Sequence, residues 1–160
     1  MNEVQQLKKL LFDELDVAVR STAGLLEKVK AEDWSYQQHE NMRTLRELAQ
    51  HLVLLPETDL AILQEKTEDE VKAIEARELA DASEMIATMK EGYNALTAYF
   101  ESLSDEEYLE KETRPFYMDH ASTQAKWLTE IVTHAFHHRA QLFTYMKQLG
   151  YDINMFNLYV

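Results

Sequence analysis

The sequence predicts an all-α protein, a four-helix bundle, on three observations. Glycine and proline are scarce, three and two in 160 residues, whereas a sheet protein needs frequent turns. Leu, Ala, Glu, Lys and Gln, all good helix formers, dominate the chain. Four long segments carry apolar residues at intervals of three and four, the period of a helix with one buried face. A chain of this length builds one core and not two comfortable ones, so residues 1–160 are expected to form a single domain.

The first helix is expected over about residues 2 to 30, with Val4, Leu7, Leu11, Leu15, Ala18 and Leu25 or Leu26 facing inward. Asn2 can cap it, and Glu3 suits the positive end of the helix dipole. A polar linker follows from Ala31 to Asn41, in which Trp34 and Tyr36 are the sizeable apolar groups. Thr44 and Glu47 have the spacing of a capping box and open the second helix. Its inward stripe reads Leu48, His51, Leu55, Thr58 and Ile62, flanked by Leu45 and Leu52. Pro56 removes a backbone donor and should kink it.

Residues 64 to 82 are charged and weakly periodic, a connection or a surface helix around Asp69 to Leu79. The third core helix, about Ser83 to Leu103, carries Ile86, Met89, Tyr93, Leu96, Phe100 and Leu103 inward. Met85, Met89 and Tyr99 suit an associating surface or a monomer core equally well. The next connection runs to His120, with Ser104 capping a short helix over Asp105 to Glu107. The last long helix begins near Ser122 or Thr123 and stops at Gly150, a left-handed terminator. The apolar tail from Tyr151 to Val160 is expected to dock on the bundle. The long first and third connections imply that at least one of them crosses the bundle end.

Charge and composition exclude several functions. The net charge of −13, with 29 acids against 16 bases, argues against a nucleic acid partner, which is held through Lys and Arg. No cysteine is present, so the chain offers no thiolate ligand and no thiol nucleophile; a metal must be held by His and carboxylates. The amino terminus lacks the apolar core of a signal peptide, and no apolar run approaches the roughly 20 residues that cross a bilayer. A cytoplasmic protein acting on a small molecule, with no membrane partner, is expected.

The chemistry concentrates in Thr133-His134-Ala135-Phe136-His137-His138-Arg139. On the last helix the inward stripe is Trp127, Ile131, His134, His138, Leu142, Tyr145 and Leu149. His134 and His138 are four residues apart, about 40° around the axis and one turn along it, a spacing that lets two imidazoles meet one divalent ion. His51 supplies a third imidazole from the second helix. His137 falls on a polar face with Thr133 and Gln141, and His39 and His120 lie in polar connections. A lone core histidine is more often a hydrogen-bonded neutral ring than a ligand; three on two inward stripes favour a metal, because burying unpartnered imidazoles is costly. Three ligands and an open position describe a catalytic site better than a closed structural one. Glu47 and Glu130, each one turn before a candidate ligand, are placed to support the rings or to remain solvated surface acids. No carboxylate is placed by spacing as a general base; Tyr93, Tyr117 and Tyr145 are candidates for lining a cavity.

The segment THAFHHRAQLFTYMKQLG, together with TLRELAQHLVLLPETDLAIL, LEKVKAEDWSY and SLSDEEYLEK, resembles the DinB family of bacterial proteins, including its YfiT-like members. The resemblance spans nearly the whole chain. It implies a four-helix bundle of up-down-down-up topology, commonly dimeric, with a nickel or zinc ion on His51, His134 and His138. It further implies a metal-dependent enzyme: a thiol S-transferase using a low-molecular-weight thiol such as bacillithiol, or a hydrolase. A non-catalytic, dimeric stress-response module that binds a metal or apolar ligand is the alternative of a different class. One departure is Ala140, where the family often has glycine; it keeps the ligands and bears on the packing of a close helix contact.

Overall fold

A computed structural model describes residues 1–159. Four long helices dominate: α1 (Glu3–Leu26), α2 (Leu45–Leu63), α4 (Ala82–Ser102) and α6 (Gln124–Gln148). Three short ones accompany them: α3 (Glu68–Glu75), α5 (Asp105–Glu110) and α7 (Phe156–Tyr159). Most of their starts follow the local chemistry read from the chain; the Thr67 cap of α3 was not read there. Asn2, Thr44, Thr67 and Ser104 each accept from a backbone N–H three residues on, within capping boxes closed by Gln5, Glu47, Glu70 and Glu107. Asp81 caps α4, slightly earlier than the apolar stripe indicated, and Thr123 caps α6. Gly150 ends α6 at φ 84, and Tyr151 N–H returns to the Met146 carbonyl at 3.1 Å.

Close packing joins α2 to α4 and α6, and α1 to α4 and α6, so the ring order is α1–α4–α2–α6. Both α1→α2 and α4→α6 therefore cross a diagonal, which explains two long connections where at least one was expected. The Lys8 ammonium near the start of α1 donates to the Phe100 carbonyl near the end of α4. Arg139, in the second half of α6, reaches Ser21 in the second half of α1. Two apolar clusters stack along the bundle. One gathers Leu15, Leu60, Phe100 and Trp127; the other gathers Leu26, Leu48, Met85, Met89 and Leu142.

Several expectations change. Leu7 is 61 % exposed, and Phe12 takes the inward place, edge-on to Tyr93 and Phe100. The reason is geometric: each four-residue step drifts about 40°, so a line drawn through Leu15 and Leu11 has left the core by Leu7. Met85 and Met89 are core residues, 0 % and 2 % exposed, and offer no associating surface. Ala140 is exposed and tightens no helix contact. The tail docks in part: Ile153 is buried, while Met155 and Phe156 stay exposed.

A two-residue antiparallel pair, β1 (Glu112–Thr113) with β2 (Ser122–Thr123), was not visible in the sequence. It is too short to show an alternating pattern. The Trp127 indole N–H donates to the Thr113 carbonyl at 3.1 Å, and the buried Gln124 amide donates to the Thr113 hydroxyl at 3.0 Å. These bonds anchor the Arg114–Ala121 loop, which carries Tyr117 to the mouth of the cavity described next.

Candidate metal centre

The α2–α6 seam brings His51, His134 and His138 together where the two apolar clusters meet. Leu48 and Leu52 pack on one side of this level, Leu55 and Ile131 on the other. Helical phase delivers the rings. His138 is buried, and His51 and His134 are half-buried. The His138 Nε2 atom lies 3.0 Å from His51 Nε2 and 2.9 Å from His134 Nε2. Among the described residues these three form the one His/Cys/Asp/Glu group whose ligand atoms all fall within 4.8 Å of one another.

Donor chemistry tests whether such a cluster suits a cation. The Gln141 side-chain oxygen accepts from His138 Nδ1 at 2.7 Å. A neutral imidazole has one N–H, so with Nδ1 donating, His138 Nε2 carries a lone pair. It faces two other Nε2 atoms, and one lone pair accommodates one good N–H donor. A divalent ion accepts all three lone pairs at once. For metal–nitrogen bonds of about 2.0–2.1 Å, neighbouring ligand atoms lie about 2.9 Å apart at right angles and about 3.4 Å apart in a tetrahedron. The observed spacings match the lower of these. The residues fit a divalent metal.

Electrostatics agree. Burial, then the Arg43 guanidinium and the other two imidazoles, lowers the His51 pKa to about 4. Burial, then His138, His137 and Arg43, lowers that of His134 to about 4. Burial also lowers His138, against the opposing effect of the Gln141 hydrogen bond. The rings are thus neutral at physiological pH, the state in which imidazole binds metals.

Beside the rings a cavity of about 430 Å³ opens, with His51 and His134 on its wall. Arg43 and Glu47 lie towards the start of α2; Thr58, Asp59, Glu75 and Tyr117 line the remainder. Arg43 is positioned by the linker. Tyr145 donates to the Arg43 carbonyl at 2.9 Å, and Tyr36 packs edge-on against Tyr145. Asp59 is 8 % exposed. Burial, reinforced by Glu75 and Glu130, raises its pKa from 3.8 to about 7.

The sequence assigned other candidates differently. His137, His39 and His120 are exposed, and His137 stays outside the group as its helical phase required. Glu47 closes the Thr44 capping box and Glu130 pairs with Lys126; neither hydrogen-bonds a ring, so the solvated reading of both holds. The ring support comes instead from Gln141, three residues after His138, an i,i+3 relation that was readable on the helix. Asp59 was also missed; its signal was an acid inside the apolar run LVLLPETDLAIL. Of the three tyrosines, Tyr117 lines this cavity, Tyr93 borders a groove between α1 and α4, and Tyr145 braces the linker.

Comparison with known proteins gives a consistent result. The model of the DinB family matches residues 1–159. A solved structure described as a proposed DinB-family member from Exiguobacterium sibiricum is 28% identical, covers 96% of this chain and 97% of its own, and has a TM-score of 0.76. A DinB-like protein from Bacillus subtilis is 19% identical over 94% of this chain and 99% of its own, with a TM-score of 0.70. A DinB-like protein from Bacillus cereus is 20% identical over 88% and 91%, also at 0.70. At those identities the last two speak for the fold alone. Among curated proteins nothing matches.

Proposed function

The chain belongs to the DinB family, and from that premise we propose that it is a metal-dependent enzyme that transfers a low-molecular-weight thiol to an electrophile. His51, His134 and His138 hold the ion, zinc or nickel, and a bacillithiol-type thiol is the cosubstrate. The observation that carries this reading is three converging Nε2 atoms, two of them (His51 and His134) from the wall of a cavity large enough for a small molecule. An ion bound there supplies Lewis acidity, which lowers the pKa of a thiol or water that binds it.

The chain's own contribution is positional. Neutral rings leave their lone pairs available, Gln141 fixes the His138 tautomer, and the apolar clusters above and below hold the α2–α6 seam. Because the chain has no cysteine, the nucleophilic sulfur must come from outside. In the overall reaction a carbon–sulfur bond forms, the bond from carbon to its leaving group breaks, and the thiol proton departs with that group. An epoxide instead retains its oxygen and takes up the proton.

A cytoplasmic setting, where small thiols are kept reduced, suits this reading, as does a homodimer of the kind the family commonly forms. No helix among the described residues is long and apolar enough to cross a membrane.

The test begins with elemental analysis of protein purified without chelators, beside a His51→Ala, His138→Ala double variant. One transition metal ion per chain in the wild type and none in the variant is expected. The loaded protein should then consume bacillithiol in the presence of a chlorinated aromatic or an epoxide. A metal-free wild type refutes the metal centre. Metal with ester hydrolysis but no thiol loss supports a hydrolase, and metal without turnover of any substrate supports a binding module.

A further inference from the structure

The far end of the cavity beside the histidines is defined by Asp59. Eight residues separate Asp59 from His51 on α2, which is about 12 Å of helix axis. At that separation along the axis, the carboxyl and the rings face different stretches of the cavity. Asp59 therefore addresses a different part of a bound molecule. It is more than nine-tenths buried and lines the cavity. Among the described residues no hydrogen bond and no basic group acts on its carboxyl. Its oxygens have no protein partner yet keep access to the cavity, so the cavity is where a partner can enter.

The charges along the cavity divide by position. Near the rings Arg43 is the charged side chain that bears on His51, and Glu47 lines the cavity beside it, so that end carries both signs. At the other end Asp59 from α2 feels Glu75 from α3 and Glu130 from α6, both acidic. Tyr117, from the Arg114–Ala121 loop, lies on the same wall and feels the same three carboxyls. Among the described residues no positive charge lines this end, which presents an oxygen-rich surface.

We propose that the Asp59 end of the cavity is a subsite for a substrate ammonium group, with Glu75 adding long-range attraction and Tyr117 a hydroxyl. The substrate class that follows is an amine-bearing electrophile whose reacting carbon and cationic nitrogen are separated by about two helical turns. This assignment rests on the reading that the reacting end lies at the histidines. The recognition itself is tested without metal or turnover.

The probes are n-hexylammonium and the neutral 1-hexanol, titrated calorimetrically into the metal-free chain near pH 8. A charge-assisted hydrogen bond should favour the ammonium by about tenfold or more. Asp59→Asn should erase that preference while leaving hexanol binding unchanged, and Glu75→Gln should reduce it by about threefold through the weaker long-range field. Carboxyl ¹³C spectra of the wild type should show Asp59 titrating at lower pH when hexylammonium saturates the site. Equal binding of the two probes, a preference that survives in Asp59→Asn, or an unmoved Asp59 titration overturns the proposal. If loaded protein consumes no thiol while the ammonium preference persists, the transferase reading fails and the subsite stands.

Discussion

His138 and Gln141 form a ring and its brace: Nδ1 donates to the side-chain oxygen at 2.7 Å across less than one turn of α6. The bond fixes which nitrogen of His138 faces the other two rings. Gln141→Leu removes the acceptor while keeping a good helix former of similar bulk. Loss of such support typically weakens a metal site by about 10- to 100-fold. Competition for zinc against a chromophoric chelator should register that loss with the fold retained by circular dichroism. Unchanged affinity would mean that the ring needs no brace.

Metal should also stabilise the fold. An ion that binds only the native state contributes about 2.7 kcal/mol at one hundred times its Kd. Thermal melts of wild type with zinc, set against melts in chelator, should therefore differ by several degrees. His51→Ala should lose most of this difference yet melt normally in chelator, because its ring is half-buried and makes no other hydrogen bond among the described residues. A variant that still gains fully from zinc would remove His51 from the ligand set.

Asp59 gives a pH dependence of determinate sign. Its folded pKa is raised from 3.8 to about 7, chiefly by burial. A raised folded pKa means that the native state keeps a proton the unfolded state has lost. The group's contribution is therefore whole below about pH 4 and is lost progressively as pH rises through about 7. At pH 8 the penalty approaches roughly 4 kcal/mol, at 1.36 kcal/mol per unit. Asp59→Asn should be more stable than wild type at pH 8, with the advantage shrinking towards pH 4. His51 and His134, lowered to about 4, act oppositely: native stability falls as pH drops from 6.5 towards 4. They do so in both proteins, so urea midpoints of variant against wild type isolate Asp59. A difference independent of pH would contradict its assignment.

The α2–α4 contact depends on one glycine. A Cβ at Gly92 would meet the Glu57 backbone nitrogen at 3.1 Å and the Pro56 Cβ at 3.3 Å, neither of which can swing aside. Gly92→Ala should cost about 1–3 kcal/mol by overpacking, outweighing the gain of up to about 1 kcal/mol in helix propensity. Gly24 in α1 meets nothing within 4 Å, so Gly24→Ala should stabilise by about 0.5–1 kcal/mol. Denaturant midpoints shifting in opposite directions would bear out both.

The sequence by itself determined the four long helices, most of their starts and the three histidines. Periodicity, capping residues such as Thr44 and Ser104, and the Gly150 stop act over a few residues, so they survive in one dimension. Helical phase sufficed to exclude His137, because its angle from His138 is set by the backbone. Tertiary structure decided what depends on distances between helices. It set the α1–α4–α2–α6 ring, turned Leu7 outward and buried Met85. It also closed the strand pair around Trp127 and brought Nε2 atoms from α2 and α6 to within 3.0 Å. Asp59 belongs to that second group. Its residue type was plain, but its burial beneath α3 and beside Tyr117, which makes an ordinary acid into a cavity wall, comes from chain segments that meet only when the bundle is closed.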